Sequence, residues 1–418
     1  MPTRLIKSSL LAGALLLCTG IIYSSVASST KTRKTKASSS SKSTSIESIG
    51  TPSYANPVND NPKKISAPPS ARKIQVAILL DVSNSMDGLI SQAKAQLWNM
   101  VSLLGKSNCD GYTPKIEIAL YEYGRSSNKP SAGYVEQITP FTTDLDEVSK
   151  QLFRLTTMGG DEYCGQVMYN SLNELKWEDG PDHYKVIFIA GNEDFLQGNL
   201  PFTKACAIAK QKQVVVNTIY CGDRMQGLNE HWNLGAECGN GSFTHINSNA
   251  AIDLVATPYD DRLFELNKVL NATYIGYGQL GRESKVKQEE ADAQNYELNK
   301  PAAAERVLVK GKKSLYTNSQ WDLVDAQEAD PQFYNKVAPS ALPESIRSKS
   351  RAEIKAYIES LASKRKEIQK ELELIQAQRD KFILTEKAKK TGSAEQTLAT
   401  EMEKILREQA RRTGIQIP

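Results

Sequence analysis

Residues 73–85 read KIQVAILLDVSNS, a near-continuous apolar run that ends in an acid and two serines. An apolar run of this kind is typical of a central strand that is buried on both faces. Apolar residues then recur at helical spacing over 89–104, which predicts a helix directly after the strand. A buried strand followed at once by a helix favours a parallel sheet covered by helices on both faces.

The same alternation of strands and helices continues to residue 270. Its order, β-α-β-β-α-α-β-α-β-β-α, predicts an α/β fold with a doubly wound, mostly parallel, Rossmann-like sheet. The predicted strands are 73–80, 115–123, 134–142, 184–190, 214–220 and 242–246. The predicted helices are 89–104, 145–155, 167–177, 204–212 and 258–270.

Asp81, Ser83 and Ser85 stand at the carboxyl end of the first predicted strand, just before a helix. Open α/β sheets place their ligands at this edge. One carboxylate and two hydroxyls on alternate residues of a turn supply oxygen ligands, which Mg²⁺ prefers. These three residues therefore predict a metal site, with Mn²⁺ or Ca²⁺ as alternatives to Mg²⁺.

This D-x-S-x-S order resembles the metal-ion-dependent adhesion site of von Willebrand factor type A domains. The resemblance implies such a domain over 73–278, and an open metal position that takes a carboxylate of a protein ligand. The chain looks like a subgroup of secreted bacterial proteins with this domain. Further stretches that carry the resemblance are 159–165, 190–193, 257–259 and 274–278.

Two positions depart from the family pattern. Glu162 stands where the family has a threonine, after the glycine pair 159–160, and Gly191 stands where it has an aspartate. One carboxylate is lost and another gained, so Glu162, Asp161 or Glu193 is expected to complete the metal shell. The alternative is a decayed site, in which the acid and serines only satisfy amides of the turn.

The amino-terminal residues predict export. A short apolar run after two basic residues predicts a cleaved signal peptide over 1–27, with membrane anchoring by 8–23 as the alternative. A Ser/Lys/Pro-rich linker follows over 28–72. The expected location is periplasmic or secreted, with peripheral or envelope association open. Since 28–73 carry nine basic and two acidic residues in a chain of net charge +4, the folded part is mildly acidic, and we expect no nucleic-acid partner.

Cleavage would leave five cysteines in a compartment where disulfides persist. Their spacing fits no zinc motif. We expect a disulfide among Cys164, Cys206, Cys221 and Cys238, with the pairing left open. Cys109 follows the first helix, at the opposite edge of the sheet.

The carboxyl-terminal part predicts an irregular linker over 279–342 and a helical, partly coiled-coil region over 343–412. Apolar residues repeat every seven positions in this region, but Arg365 and Arg379 stand in the seam. A helix packed on its own chain and self-association through that helix both remain open. The seam residues are Ile354, Ile358, Leu361, Ile368, Leu372, Ile375 and Phe382 besides the two arginines.

The sequence thus favours an exported binding or adhesion module with a variant metal site. An enzyme is not expected, because phosphotransfer sites that open on a similar motif need a second acid where Ser83 stands. The alternative is a structural or assembly protein of the cell envelope that acts through its carboxyl-terminal helices, with a decayed metal site.

Overall fold

The computed structural model describes residues 72–250, 254–389 and 397–418. The predicted signal peptide and residues 28–71 of the predicted linker lie outside the described residues. Within the described residues, six strands form one sheet in the order β3-β2-β1-β4-β5-β6, with β3 alone antiparallel. The strands are β1 Lys73–Asp81, β2 Lys115–Tyr123, β3 Glu136–Thr142, β4 Tyr184–Gly191, β5 Val215–Cys221 and β6 Phe243–Ile246.

Helices cover both faces of this sheet, as the sequence predicts. The helices between the strands are α1 Asp87–Leu104, α2 Leu145–Arg154, α3 Cys164–Glu174, α4 Phe202–Lys212, α5 Arg224–Asn229 and α6 Trp232–Cys238. Alternate residues of β1 divide between two cores: Ile78 faces the α1 and α2 side, and Leu79 faces the α3 and α4 side. The doubly wound α/β fold is therefore confirmed, with α5 and α6 as additions.

The chain after β6 forms eight further helices within the described residues. Those helices are α7 Asp260–Asn271, α8 Gly278–Leu298, α9 Lys300–Lys310, α10 Leu323–Ala329, α11 Phe333–Lys336, α12 Glu344–Arg347, α13 Arg351–Lys389 and α14 Leu398–Ala410. None of the helices in the described ranges is long and apolar enough to cross a membrane.

The segment 279–342, predicted as an irregular linker, contains α8, α9 and α10 instead. Every residue of 301–310 is buried, and α9 packs against α1, α7, α8 and α13. Sequence periodicity missed these helices because several of their buried positions are polar. Arg306 shows how such positions are satisfied: it donates to Asp146 and Asp292 at 2.6 Å each, and its guanidinium lies 4.5 Å from the centre of the Trp98 ring.

The long helix α13 packs on its own chain through its heptad seam. Arg365 bonds Asp322 and Asp325 at 2.8 Å each, and its guanidinium lies 4.0 Å from the centre of the Tyr274 ring. Arg379 likewise pairs with acids of α7 and α9. The two arginines that interrupt the heptads are thus buried ion-pair partners. The seam of α13 packs against other helices of the same chain.

Helix α14, far from the strands in sequence, packs on the sheet. Its apolar residues join the core formed by α1, α2 and one face of the strands, whereas α7, predicted as the last helix over the sheet, packs with α9 and α13. Gln409 of α14 bonds Tyr184 and Asn217 across β4 and β5. The sheet layer therefore comprises 72–250 together with 397–418, rather than 73–278.

A disulfide joins Cys206 of α4 to Cys238 of α6, which confirms a bond among the four expected cysteines. Cys109, Cys164 and Cys221 are buried free thiols. The bond crosses the helical layer beside the loop that follows β4, and it closes a loop of 32 residues.

Replacing both Cys206 and Cys238 by serine is expected to lower the free energy of unfolding by about 3–4 kcal/mol. The reason is that a disulfide across a loop of this length lowers the conformational entropy of the unfolded chain by that amount. Urea unfolding of the oxidised protein and of the variant measures the difference. Adding a reductant should destabilise the wild-type protein and leave the variant unchanged. A wild-type protein that is equally stable with and without reductant would contradict the prediction.

Candidate functional site

The first site residues lie where β1 ends and the chain turns toward α1. Asp81 is completely buried, and its Oδ1 accepts a hydrogen bond from the amide of Ser83 at 2.7 Å. The turn is held to β2 because the amide of Val82 donates to the carbonyl of Tyr123 at 2.9 Å. A buried carboxylate is thus aimed from the strand end toward the ligand edge of the sheet.

The two serines line one side of the same turn. The hydroxyl oxygens of Ser83 and Ser85 are 3.4 Å apart, so both can face one small ion. Ser85 is exposed, and its hydroxyl lies 3.4 Å from Oδ1 of Asn192 on the loop after β4. The turn therefore touches the neighbouring loop one residue after Gly191, the position where the family has an aspartate.

Glu162 reaches the site from the loop between α2 and α3. That loop is fastened to the β1 turn: the amide of Met158 donates to the carbonyl of Val82, and the amide of Gly159 donates to Oδ1 of Asn84, both at 2.8 Å. Glu162 is 5% exposed, and its carboxyl lies beside that of Asp81. The loop thus delivers a second carboxyl to the first.

Burial of the two neighbouring carboxyls disfavours their ionised forms. Burial and the adjoining Asp81 carboxyl raise the pKa of Glu162 to about 9. Burial also raises the pKa of Asp81, although its hydrogen bonds with Glu162 and Ser83 oppose the shift. Two buried acids that face each other need a shared proton or a cation between them.

Two glycines make room for this pair. A Cβ on Gly124, whose φ is +82°, would lie 2.9 Å from Oδ1 of Asp81 and 2.9 Å from Cγ of Glu162. A Cβ on Gly191 would lie 2.5 Å from the Tyr123 hydroxyl and 3.0 Å from Oδ2 of Asp81. Since Tyr123 occupies the space beside Gly191, the missing family aspartate has no room at 191, and Glu162 supplies the carboxyl from another loop.

Tyr123 is a site residue that sequence reasoning missed. It is completely buried at the end of β2, and its hydroxyl donates a hydrogen bond to the carbonyl of Ala190 at 3.0 Å. The same hydroxyl accepts a hydrogen bond from the Cys164 thiol at 3.8 Å. The available signal was the pair Tyr123-Gly124 at the end of a strand next to β1. An aromatic residue before a glycine is too common to identify a site without the register of the sheet.

The other two predicted acids lie at the surface and do not enter the pair. Asp161 accepts a hydrogen bond from the Tyr163 hydroxyl at 3.2 Å. Glu193 is exposed and accepts from Gln197 at 3.4 Å, but it is near enough for its charge to help raise the pKa of both Asp81 and Glu162. The structure therefore brings Asp81, Ser83, Ser85 and Glu162 together, and leaves Asp161 and Glu193 around them.

The residues present fit a hard divalent cation. Oδ2 of Asp81 is buried and finds no hydrogen-bond donor among the described residues. Across the same part of the chain, no three His, Cys, Asp or Glu side chains converge on one point, so a cation here would depend on hydroxyls as well as carboxyls. Carboxylate and hydroxyl oxygens suit Mg²⁺, Mn²⁺ or Ca²⁺ better than a softer metal.

The sheet order and the place of this site agree with the resemblance seen in the sequence. The acid and two serines follow the central strand β1, and the single antiparallel strand β3 lies at the edge beyond β2. The architecture is the doubly wound α/β fold that this resemblance implies. Below, "A domain" means the sheet layer formed by 72–250 and 397–418.

Comparisons with known proteins return structures only. No protein-family model matches the chain, and no curated protein matches it. Each solved structure cited here aligns with 42% of this chain. Proximal thread matrix protein 1 from the mussel byssus, with a zinc-occupied MIDAS motif, is 13% identical at a TM-score of 0.32. The alignment spans 42% of that protein's length.

Two bacterial proteins are similar at the same level. A von Willebrand factor type A protein from Catenulispora acidiphila is 12% identical over 39% of its length, at a TM-score of 0.31. An aerotolerance-related membrane protein from Bacteroides fragilis, bearing multiple mutations to serine, is 18% identical over 93% of its length, at a TM-score of 0.29.

Proposed function

We propose that this chain is an exported protein-binding module whose A domain recognises its partner through a divalent cation. The observation that carries the proposal is Asp81: its carboxylate is completely buried at the ligand edge, with one oxygen lacking a donor and Glu162 beside it. A charged group is costly to bury without a partner, and a cation would provide one.

Asp81, Ser83, Ser85 and Glu162 would hold the cation, with Mg²⁺ as the first candidate and Mn²⁺ or Ca²⁺ as alternatives. The cation would supply positive charge and an open coordination position, which a carboxylate of the partner fills. The turn after β1 and the loop carrying Glu162 are already hydrogen-bonded to each other, so little ordering is needed on binding.

Export rests on the sequence of residues 1–27, and the proposal places the protein in the periplasm or outside the cell. A binding role fits better than an enzymatic one because Ser83, a poor proton donor near neutral pH, follows Asp81 where a second acid would be needed. Self-association through α13 is less well supported, since its seam is buried against α7, α9 and α10 of the same chain.

Calorimetric titration of Mg²⁺ into the wild-type protein is expected to give binding heat and to raise the melting temperature. Asp81→Asn and Glu162→Gln should each weaken binding by at least ~10-fold, about 1.4 kcal/mol, because each removes a charged oxygen ligand. Asp161→Asn is the matched control, since that side chain turns to Tyr163, and it should bind Mg²⁺ like the wild type.

Both substitutions keep the shape of the side chain, so circular dichroism and melting without metal can verify that the variants fold. A wild-type protein that shows neither heat nor a melting shift with Mg²⁺, Mn²⁺ or Ca²⁺ would overturn the metal-dependent mechanism. Equal binding by wild type and Asp81→Asn would place the cation elsewhere.

A further inference from the structure

The loops around the site carry a clear excess of negative charge. Within the described residues, the loops at the carboxyl edge of the sheet hold seven acidic and three basic side chains, and Asp81 adds another acid. Those loops are 82–87, 124–135, 155–163, 192–201, 222–231, 247–250 and 254–259. A divalent cation would cancel only two of these negative charges, so the face stays acidic with the site filled.

Among the described residues, few ion pairs neutralise this charge. Arg125, one of the three bases, is paired with Glu122 of β2, an acid outside the seven counted here. Asp194 contacts the His231 ring at 3.0 Å. Four acids from four different loops are exposed, and we call them the acidic rim: Asp87, Asp161, Glu193 and Asp223.

Exposed apolar side chains lie on the same loops. Met158 is 45% exposed, Leu196 is 44% exposed and Met225 is 62% exposed. Met158 and Leu196 belong to two different loops of the edge, and Met225 lies in the short helix α5 that follows β5. They lie at the same edge of the sheet as the acidic rim, where each offers an apolar contact to a protein partner. Methionine is well suited to such surfaces because its flexible thioether adapts to the partner.

We infer that the partner segment is basic: an acidic residue reaches the metal site, and flanking lysine or arginine pairs with the acidic rim. An apolar side chain of the segment contacts Met158, Leu196 or Met225. The inference rests on the proposed function, because the unpartnered buried oxygen of Asp81 marks where the acid arrives. If the partner segment were acidic, its other carboxylates would be repelled by the acidic rim, and such repulsion is costly at an interface.

Two 12-residue peptides test this. Both contain one central Asp and one Leu; in the first the Asp is flanked by four lysines, and in the second by four serines. Fluorescence anisotropy with the full-length protein and Mg²⁺ should show the lysine peptide binding at least ~10-fold tighter, with an affinity that falls as salt rises. EDTA should weaken it at least ~10-fold.

The rim variant Asp161→Asn/Glu193→Gln should lose most of the preference for the lysine peptide. The matched control Asp110→Asn/Asp179→Asn removes two exposed acids at the opposite edge of the sheet and should leave it unchanged. Met158→Ser/Leu196→Ser should weaken binding of the lysine peptide without altering Mg²⁺ affinity in calorimetry.

The outcomes separate this inference from the proposed function. Equal affinity for the two peptides, or the same loss in the rim and control variants, would overturn the basic-partner inference. So would failure of the lysine peptide to bind while calorimetry shows Mg²⁺ bound. Lysine-peptide binding that EDTA does not change would mean simple charge attraction without the cation, and would overturn the metal-centred arrangement on which the inference rests.

Discussion

Removing residues 397–418 is expected to abolish cooperative folding of the A domain. The segment buries six large apolar side chains in the core under the sheet: Leu398, Met402, Ile405, Leu406, Ile415 and Ile417. At about 1.5–3 kcal/mol for each buried side chain, their loss amounts to roughly 9–18 kcal/mol. That loss is comparable with the whole free energy of unfolding of a typical domain, about 5–15 kcal/mol.

The truncated chain should therefore show no sharp urea transition and should expose apolar surface that binds a hydrophobic dye. Leu406→Ala gives a graded version of the experiment, with an expected loss of about 2–5 kcal/mol. Lys404→Ala is the matched control on the exposed side of α14 and should change stability by less than about 0.5 kcal/mol. A truncated protein with an unchanged unfolding midpoint would show that α14 is dispensable.

This dependence affects any dissection of the protein. Deleting everything after Gly281 would not cleanly separate the A domain from the carboxyl-terminal helices. Such a deletion also removes α14, so lost binding would report unfolding rather than a binding role of the helices. Point substitutions at the metal edge and in the α13 seam avoid this ambiguity.

Arg365→Met is expected to lower the free energy of unfolding by about 3–5 kcal/mol, because breaking a buried ion pair leaves its acids uncompensated. The arginine is 4% exposed and bonds both Asp322 and Asp325. Even with the arginine present, burial and the charge of Asp322 raise the pKa of Asp325 to about 6. Methionine replaces the aliphatic part of the side chain and has a similar volume, so the loss reports charge more than volume.

Arg262→Met is the control, since Arg262 makes ion pairs with Glu265 and Glu371 but its side chain is 51% exposed. Exposed pairs contribute about 0–1 kcal/mol. Replacing Asp322 and Asp325 by Asn in the Arg365→Met background should restore part of the stability. Equal losses for Arg365→Met and Arg262→Met in urea unfolding would contradict the buried-pair explanation.

The fold was largely predictable because its signals are local. The run 73–80 is apolar on both faces of a strand, and the helix after it has the right period, so one stretch indicated a covered parallel sheet. Asp81, Ser83 and Ser85 were predictable as a site for the same reason: they follow directly from the strand end. Glu162 was expected only by analogy with the family, and the structure supplies its physical setting, a buried carboxyl beside Asp81.

The sequence by itself thus determined the strand and helix pattern and the edge of the sheet that binds ligands. It also determined which four cysteines could form a disulfide. The tertiary structure decided which two of them pair, why Gly191 is glycine, and that α14 rather than α7 covers the sheet. It also showed that 279–342 contain the helices α8 to α11, with Arg306 buried against acids of two other helices. These facts depend on contacts between residues far apart in the chain, which a period of two or 3.6 residues does not record.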